Sequence, residues 1–469
     1  MINKLQLPPP KLLGIMGIAT IIFLISSIIR HLLFQSNALD LGWFDQAIYL
    51  ISQGKNPIVS FQDFHILGDH AAFILYPLAL FYKLYPSVYW LFLIQAIALS
   101  LGAWPTWLLA KEAGLKPDQC LAIAVAYLLY PMIFNLNLFD FHPEVIALPT
   151  LLWAIYMARI KNFWGFIFAI LIILSCKAVL SLTVAVMGFW LIIWEKRKIE
   201  GFIALVLGIT WFIITTKIII PHFSGGEVAA VGRYSFLGNS VAEIIQNLIF
   251  KPNILLSHIF TLENLGYLML LVSPLIWGLS LQHLTPLIPA LPALFLNLLT
   301  DYSPQKDLTH QYSLTILPFL LLAVITSLAN HKGWIKSPKV IIIWALITFL
   351  ALSKYGYFFG RYWENWDNLA AMHESIHLVK TQESLLTSPT ITPHLSQRVK
   401  VKLAIKDAEP IDLQNFTYIL LNKRHPGWEN SEETVKNLVN QLKNNPDFKN
   451  IYQRDDVWLF QKATITPEK

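Results

Sequence analysis

Residues 12–33 read LLGIMGIATIIFLISSIIRHLL. At 1.5 Å per residue a run of this length crosses a hydrocarbon core about 30 Å thick, and its only ionisable residues, Arg30 and His31, fall near one end. Lys4 and Lys11 precede it. No small-residue cleavage site follows a short apolar region, so the segment reads as a retained first transmembrane helix and not a removed signal peptide. By the positive-inside rule the N-terminus is cytoplasmic and the residues after Leu33 emerge on the outer side.

The rest of the chain agrees in composition. Of its 469 residues 55% are hydrophobic and 14% charged, with a mean hydropathy of +0.53. Soluble domains carry about 25% charged residues, so an ordinary soluble protein is excluded. The net charge of +6 does not point to nucleic acid. The basic residues lie mainly in short loops between apolar runs and in the C-terminal tail, where they act as topology determinants. Cys120 and Cys176 sit in apolar stretches and suggest neither a disulfide framework nor a thiolate metal site.

Threading apolar runs against lysine and arginine positions gives about eleven spans. After the first, from about Leu13 to Leu33, residues 34–87 form an outer loop whose piece Ala71 to Leu84, broken by Pro77 and Lys83, reads as an interfacial helix. The further spans are Val88 to Ala110, Cys120 to Leu138, Val145 to Ala158, Phe163 to Cys176, Val179 to Trp194, Phe202 to Ile220, Leu265 to Leu281, Leu284 to Leu299, Leu314 to Ala329 and Val340 to Leu352. Residues 1–353 are then a mainly α, polytopic membrane domain. From Lys354 the composition turns charged and mixed, which indicates a small soluble α/β domain at 354–469, outside the membrane. Within it Thr417 to Leu421 and Val457 to Gln461 read as strands, and Ser431 opens a helix that runs to Leu442.

This threading places every conspicuous acid and histidine cluster of the membrane part on the outer side: Asp40 to Gln46, Gly68-Asp69-His70, Asp140-Phe-His142-Pro-Glu144, and Asp301 to His310. Acids near a bilayer need solvation, a partner or a cation, so their sorting suggests one working face. Asp69, Asp301 and Asp307 follow loop-like residues and read first as wet loop positions. Asp45 lies beside the apolar face of an amphipathic stretch, Ala38 to Leu50, that would hold it at a fixed depth. In the Asp140 to Glu144 cluster Pro143 can start the next span with Glu144 in its first turn. The cluster then either holds a hard divalent cation, binds a sugar hydroxyl, or caps the helix. Lys177 and Arg233 are candidate phosphate partners, with snorkelling to headgroups as the plainer reading of Lys177. The histidines 65, 70, 142 and 310 do not have the spacing of a zinc helix. No phosphate-binding glycine loop is present.

Several of these stretches together resemble a known family, the prokaryotic membrane proteins grouped as domain of unknown function 2079. They are Leu39-Asp-Leu-Gly-Trp-Phe-Asp-Gln-Ala47, Gly68-Asp-His70 with Leu75-Tyr-Pro77, Gln95-Ala96, Phe141-His-Pro143 and Thr392-Pro-His-Leu-Ser-Gln-Arg398. That family is in turn similar to the membrane glycosyltransferases of the GT-C fold. The resemblance implies a prokaryotic plasma-membrane enzyme that moves a sugar from a polyprenyl-phosphate carrier to an acceptor on the outer face. It implies Asp45 as general base or metal-proximal acid, with Asp140 and Glu144 as helpers. A Mg²⁺ or Mn²⁺ ion at Asp140 and Glu144, or Lys177 with Arg233, would neutralise the leaving phosphate, and Asp40, Gln46, His70, His142 and His310 are further candidate substrate contacts. Ala178 and Val179 stand where it would place an acidic pair after Lys177. The implied partners are a lipid-linked sugar, an unnamed acceptor and membrane lipids, with no nucleic acid. A transporter or flippase, or a non-catalytic membrane scaffold, is the alternative. A transporter would carry ionisable residues near the midplane and broken helices in two related halves.

Overall fold

The computed structural model describes residues 6–226, 228–406, 411–428 and 430–463. Among them four helices are long and apolar enough to cross a bilayer: Pro10–Leu32, Tyr89–Glu112, Pro117–Phe139 and Lys198–Ser224. The pair Pro252–Ile259 and Leu262–Val272, bent by 61°, makes a fifth if it is one span. Shorter apolar helices at Phe163–Cys176, Leu180–Ile193, Leu317–Ala329 and Pro338–Leu352 fall where four more spans are expected. Near the expected spans from Leu265 to Leu299 the helix stops at Val272, and short 3₁₀ turns replace it until Leu291–Leu299. Pro274, Pro286 and Pro289 account for this, because proline removes a backbone donor and clashes with the preceding turn.

The chain divides into two compact units. The first is built from Met1–Ser26, Ile66–Ile74 and Phe92–Tyr355. Its helices pack through small residues. A Cβ on Gly188 would lie 2.3 Å from the Leu205 backbone nitrogen, and one on Gly208 would lie 2.5 Å from that of Ala185. Glycine is therefore what lets Leu180–Ile193 and Lys198–Ile214 approach backbone to backbone, as membrane helices do when no hydrophobic effect drives them together. Polar residues lock the outer ends. Asn137 donates to the Phe23 carbonyl at 2.9 Å, Asn135 to that of Leu308 at 3.0 Å, and Gln95 to that of Asn137 at 3.1 Å. Each satisfies groups that would be costly to leave unpaired away from water.

The second unit comprises Ser27–His65, Leu75–Leu91 and Gly356–Lys469, so it takes in most of the loop 34–87 as well as the C-terminal part. The loop contributes β1 (Ile58–Val59) paired antiparallel with β2 (Phe64–His65), and helices Trp43–Ser52 and Leu75–Leu84. The interfacial helix is thus shorter than expected. Ala71 lies at φ +51°, a left-handed position that ends the preceding turn and delays the helix to Leu75.

Five strands, β3 (Leu385–Thr387), β4 (Val401–Leu403), β5 (Tyr418–Asn422), β6 (Phe448–Arg454) and β7 (Val457–Lys462), form one sheet in the order β4-β3-β5-β7-β6. The pairs β3–β4 and β3–β5 are parallel, and the rest antiparallel. Side chains alternate. Ile419, Leu421, Trp458 and Phe460 pack on one face with Val435, Val439 and Leu442 of the helix Glu432–Lys443. Tyr418, Leu420, Val457 and Leu459 pack on the other with Ala371 and Met372. A strand covered on both faces reads as an unbroken apolar run, which is why YILLN was visible in sequence. Ser431 caps the helix by accepting the Thr434 N–H at 3.1 Å, and Glu432 and Glu433 in the first turn favour its dipole.

Candidate functional site

In the first unit one group of charged residues surrounds Lys177. The helix Phe163–Cys176 ends there, Lys177 takes an extended backbone, and the next helix begins at Leu180. Its Nζ donates to Glu144 Oε1 at 2.5 Å, with both residues buried. Glu144 is the first residue of the helix Glu144–Arg159 behind Pro143, as expected. Two charges withdrawn from water are tolerable only as a pair, which is how the fold holds them. The plainer reading of Lys177, a lysine reaching for headgroups, therefore fails.

A piece of the first outer loop is laid against this turn. The Ala178 N–H donates to the His70 carbonyl at 2.8 Å, and the Ile74 N–H to that of Ser175 at 3.0 Å. Gly68 makes the approach possible from behind, since a Cβ there would lie 2.9 Å from backbone atoms of Phe223 and Ser224. Asp69 and His70 result side by side, Oδ2 to Nε2 3.1 Å, with 19% and 32% of their side chains accessible. Surface retained by groups that protein otherwise surrounds is the mark of a recess. Burial is the main influence on Asp69 and raises its pKa to about 6; Lys177 and Arg233 pull the other way, and Glu144 adds to the rise. Burial, followed by Lys177 and Arg233, holds His70 well below the usual imidazole value.

Arg233 comes from a 3₁₀ turn, Ala229–Tyr234. Its guanidinium lies 4.5 Å from the Tyr302 ring centre and 5.1 Å from that of Tyr312, and donates to Gln305 Oε1 at 2.9 Å. Lys177 Nζ is 6.0 Å from the same Tyr312 ring. Two cations thus flank one aromatic side chain, an arrangement that stacks and orients the arginine fork. On the other side of this region the Phe139 ring stacks on His142 at 5.3 Å and meets His310 edge-on at 4.4 Å. Gln95 Oε1 accepts the His142 N–H at 3.3 Å. His310 Nδ1 is 2.7 Å from Asp307 Oδ2. Asp140 sits at φ +104°, a conformation that glycine adopts far more readily than aspartate, at the end of the helix Pro131–Phe139.

Asp45 belongs to the second unit and has a different setting. It is 1% exposed, and three donors reach its carboxylate: Tyr82 Oη to Oδ1 at 2.6 Å, Ser396 Oγ to Oδ2 at 2.6 Å, and Gln397 Nε2 to Oδ1 at 3.2 Å. Burial raises its pKa to about 6 against the opposing pull of those donors. Gln46 is 0% exposed; it donates to Ser60 Oγ at 2.8 Å and the Arg398 carbonyl at 2.9 Å, and accepts the Ser60 N–H at 3.0 Å. The stretches 39–47 and 392–398, 351 residues apart at Asp45 and Ser396, meet here. Asp40 is half-buried in the wide turn Ala38–Gly42.

Of the side chains expected at a site, His70, His142, Glu144, Lys177, Arg233, Asp140 and His310 all fall in the first unit, and Asp40, Asp45 and Gln46 in the second. Glu144 is paired with Lys177, and among the described residues no three histidine, cysteine or carboxylate side chains are grouped as a metal site. Sequence reasoning set Asp69 aside as a wet loop residue and passed over Tyr312, Gln305, Ser396 and Gln397. Only for Asp69 was there a usable signal: a glycine immediately before an Asp-His pair marks a close approach of backbone.

The profile of the family described as "Predicted membrane protein (DUF2079)" matches residues 30–459. No curated protein matches the chain. Among solved structures the chain is similar to ArnT from Cupriavidus metallidurans in two states. The structure bound to undecaprenyl phosphate aligns with a TM-score of 0.52 at 11% identity, covering 98% of this chain and 99% of that one. The apo structure aligns with a TM-score of 0.55 at 12% identity, covering 96% and 97%. At such identities the likeness is one of fold.

Proposed function

The chain belongs to the DUF2079 family of membrane proteins, and we propose that it is a GT-C-type glycosyltransferase that takes a sugar from a polyprenyl-phosphate carrier and passes it to an acceptor on the outer membrane face. The observation that carries this reading is the pair of cations, Lys177 and Arg233, gathered at the Tyr312 ring. A sugar leaving a phosphate diester deposits negative charge on the phosphate oxygens. A guanidinium fork and an ammonium already fixed in place, beside an aromatic ring, stabilise that charge without reorganising. The likeness in fold to a protein crystallised with undecaprenyl phosphate supports a lipid phosphate as the anion. On this reading the two cations neutralise the leaving phosphate, and Glu144 holds Lys177 in place. Asp45, with both oxygens occupied by donors, acts as an anchor of the first outer loop rather than as the base.

The test is binding of undecaprenyl phosphate to purified full-length protein in nanodiscs, followed by native mass spectrometry. Saturable binding that weakens in Arg233→Ala and in the charge-balanced pair Lys177→Met with Glu144→Gln supports the assignment. Binding that is absent, or equal in all variants, removes it.

A further inference from the structure

Beside the paired cations stands a second arrangement that the phosphate reading does not use. Asp307 Oδ1 accepts the backbone N–H groups of Thr309 at 2.8 Å and His310 at 3.0 Å, which closes a tight turn, while its Oδ2 holds His310 Nδ1 at 2.7 Å. The turn is itself fixed, because Asn135 donates to the Leu308 carbonyl and Phe139 packs edge-on against the His310 ring. His310 is 23% accessible, so it is held but not sealed. The centre of its ring is 6.4 Å from that of Tyr312, the residue flanked by both Lys177 and Arg233. A carboxylate on Nδ1 settles the tautomer: the proton stays on Nδ1, and the lone pair belongs to Nε2.

We propose that His310, oriented by Asp307, is the proton acceptor of the transfer reaction. The inference rests on the phosphate reading of the neighbouring cations. As the acceptor oxygen forms its bond to the anomeric carbon, its proton passes to His310 Nε2. The bond from the anomeric carbon to the phosphate oxygen breaks, and its electron pair leaves on the carrier phosphate beside Lys177 and Arg233. The imidazolium formed is stabilised by Asp307, and Asp307 is a positioning residue. Among the described residues the titratable groups in contact with the ring are Asp307 on its own turn and Tyr312, with His142 against the same Phe139 and Lys177 and Arg233 against the same Tyr312.

Diethyl pyrocarbonate modification of the full-length protein, mapped by peptide mass spectrometry across pH, tests this without knowledge of the sugar. The unprotonated ring nitrogen is the one modified. Asp307→Asn keeps an oxygen for the Thr309 and His310 N–H groups, so the turn survives, but its amide now donates to Nδ1 and moves the proton to Nε2. The expected result is a plateau rate at His310 that falls severalfold in Asp307→Asn. His331 in the same molecules should be unchanged. Undecaprenyl phosphate should slow modification of His310 in the wild type. Equal rates in the two proteins overturn the dyad, and so does bound undecaprenyl phosphate that leaves His310 unprotected. If undecaprenyl phosphate fails to bind at all, the phosphate reading falls and takes the role of His310 with it, an outcome distinct from the other two.

Discussion

Asp45 and Asp69 are both acids of the first outer loop, and burial raises each to about 6, yet their surroundings are opposite in kind. Asp45, in the second unit, is enclosed, and three neutral donors occupy its oxygens. Asp69, in the first, keeps part of its surface and faces two cations and another acid. An equal shift thus arises from a closed hydrogen-bonded knot in one case and from an accessible, charged recess in the other. Perturbation alone does not mark a working residue. What separates the two is hydrogen-bonding capacity that the fold leaves available to a ligand.

Removing the cations should widen the contrast most. Arg233→Ala, and Lys177→Met combined with Glu144→Gln, are each expected to weaken undecaprenyl phosphate binding by about tenfold or more, the scale of one charged hydrogen bond. Asp45→Asn should leave that affinity unchanged, and a comparable loss there would erase the distinction between the units. In stability the order reverses. Asp45→Ala strands the donors of Tyr82, Ser396 and Gln397, and should cost on the order of 2–3 kcal/mol. The readout is a lower thermal midpoint and faster proteolysis within residues 356–463. Asp69→Ala should leave both readouts close to wild type.

Gly68→Ala is a finer probe. The added methyl meets the backbone of Phe223 and Ser224, so the short helix Leu67–His70 must shift and carry Asp69 and His70 with it. A fewfold loss of undecaprenyl phosphate affinity with near-normal thermal stability is expected, and normal affinity would show that the loop piece does not shape the recess.

The smallest effects are in pH. The Asp45 pKa is higher folded than unfolded, so the folded state binds the extra proton between about pH 4 and 6. The contribution of Asp45 to stability therefore grows as pH falls through 6 and is lost as pH rises, and the thermal midpoint relative to Asp45→Asn should follow that sign. For Asp69 the ligand enters. A bound phosphate opposes its ionisation, so undecaprenyl phosphate should bind more tightly as pH drops from 7 toward 6, and Asp69→Asn should flatten that part of the profile. A slope unchanged in Asp69→Asn would assign the titration to another group.

The legible features were those that depend on composition along a few turns of chain. The strand at Tyr418–Asn422 and the helix behind Ser431 lie where the apolar run and the cap residue put them. Glu144 begins its helix because Pro143 can do nothing else well. What was not legible depends on pairs far apart in sequence. Lys177 and Glu144 are 33 residues apart, and no local pattern distinguishes a lysine that snorkels from one with a buried carboxylate waiting for it. The surroundings of Asp45 were illegible for the same reason. Its amphipathic position was correctly read, but the Ser396 and Gln397 that occupy it come from the far end of the chain.

The sequence by itself determined that this is a helical membrane protein with acids and histidines in its loops, because hydropathy and the placement of lysine and arginine act segment by segment. Tertiary structure alone decided which of those polar residues are consumed and which remain available. Burial, pairing and the surface left over are properties of the assembled neighbourhood, and they enclose Asp45 among Tyr82, Ser396 and Gln397 while grouping Lys177, Arg233 and His310 about Tyr312.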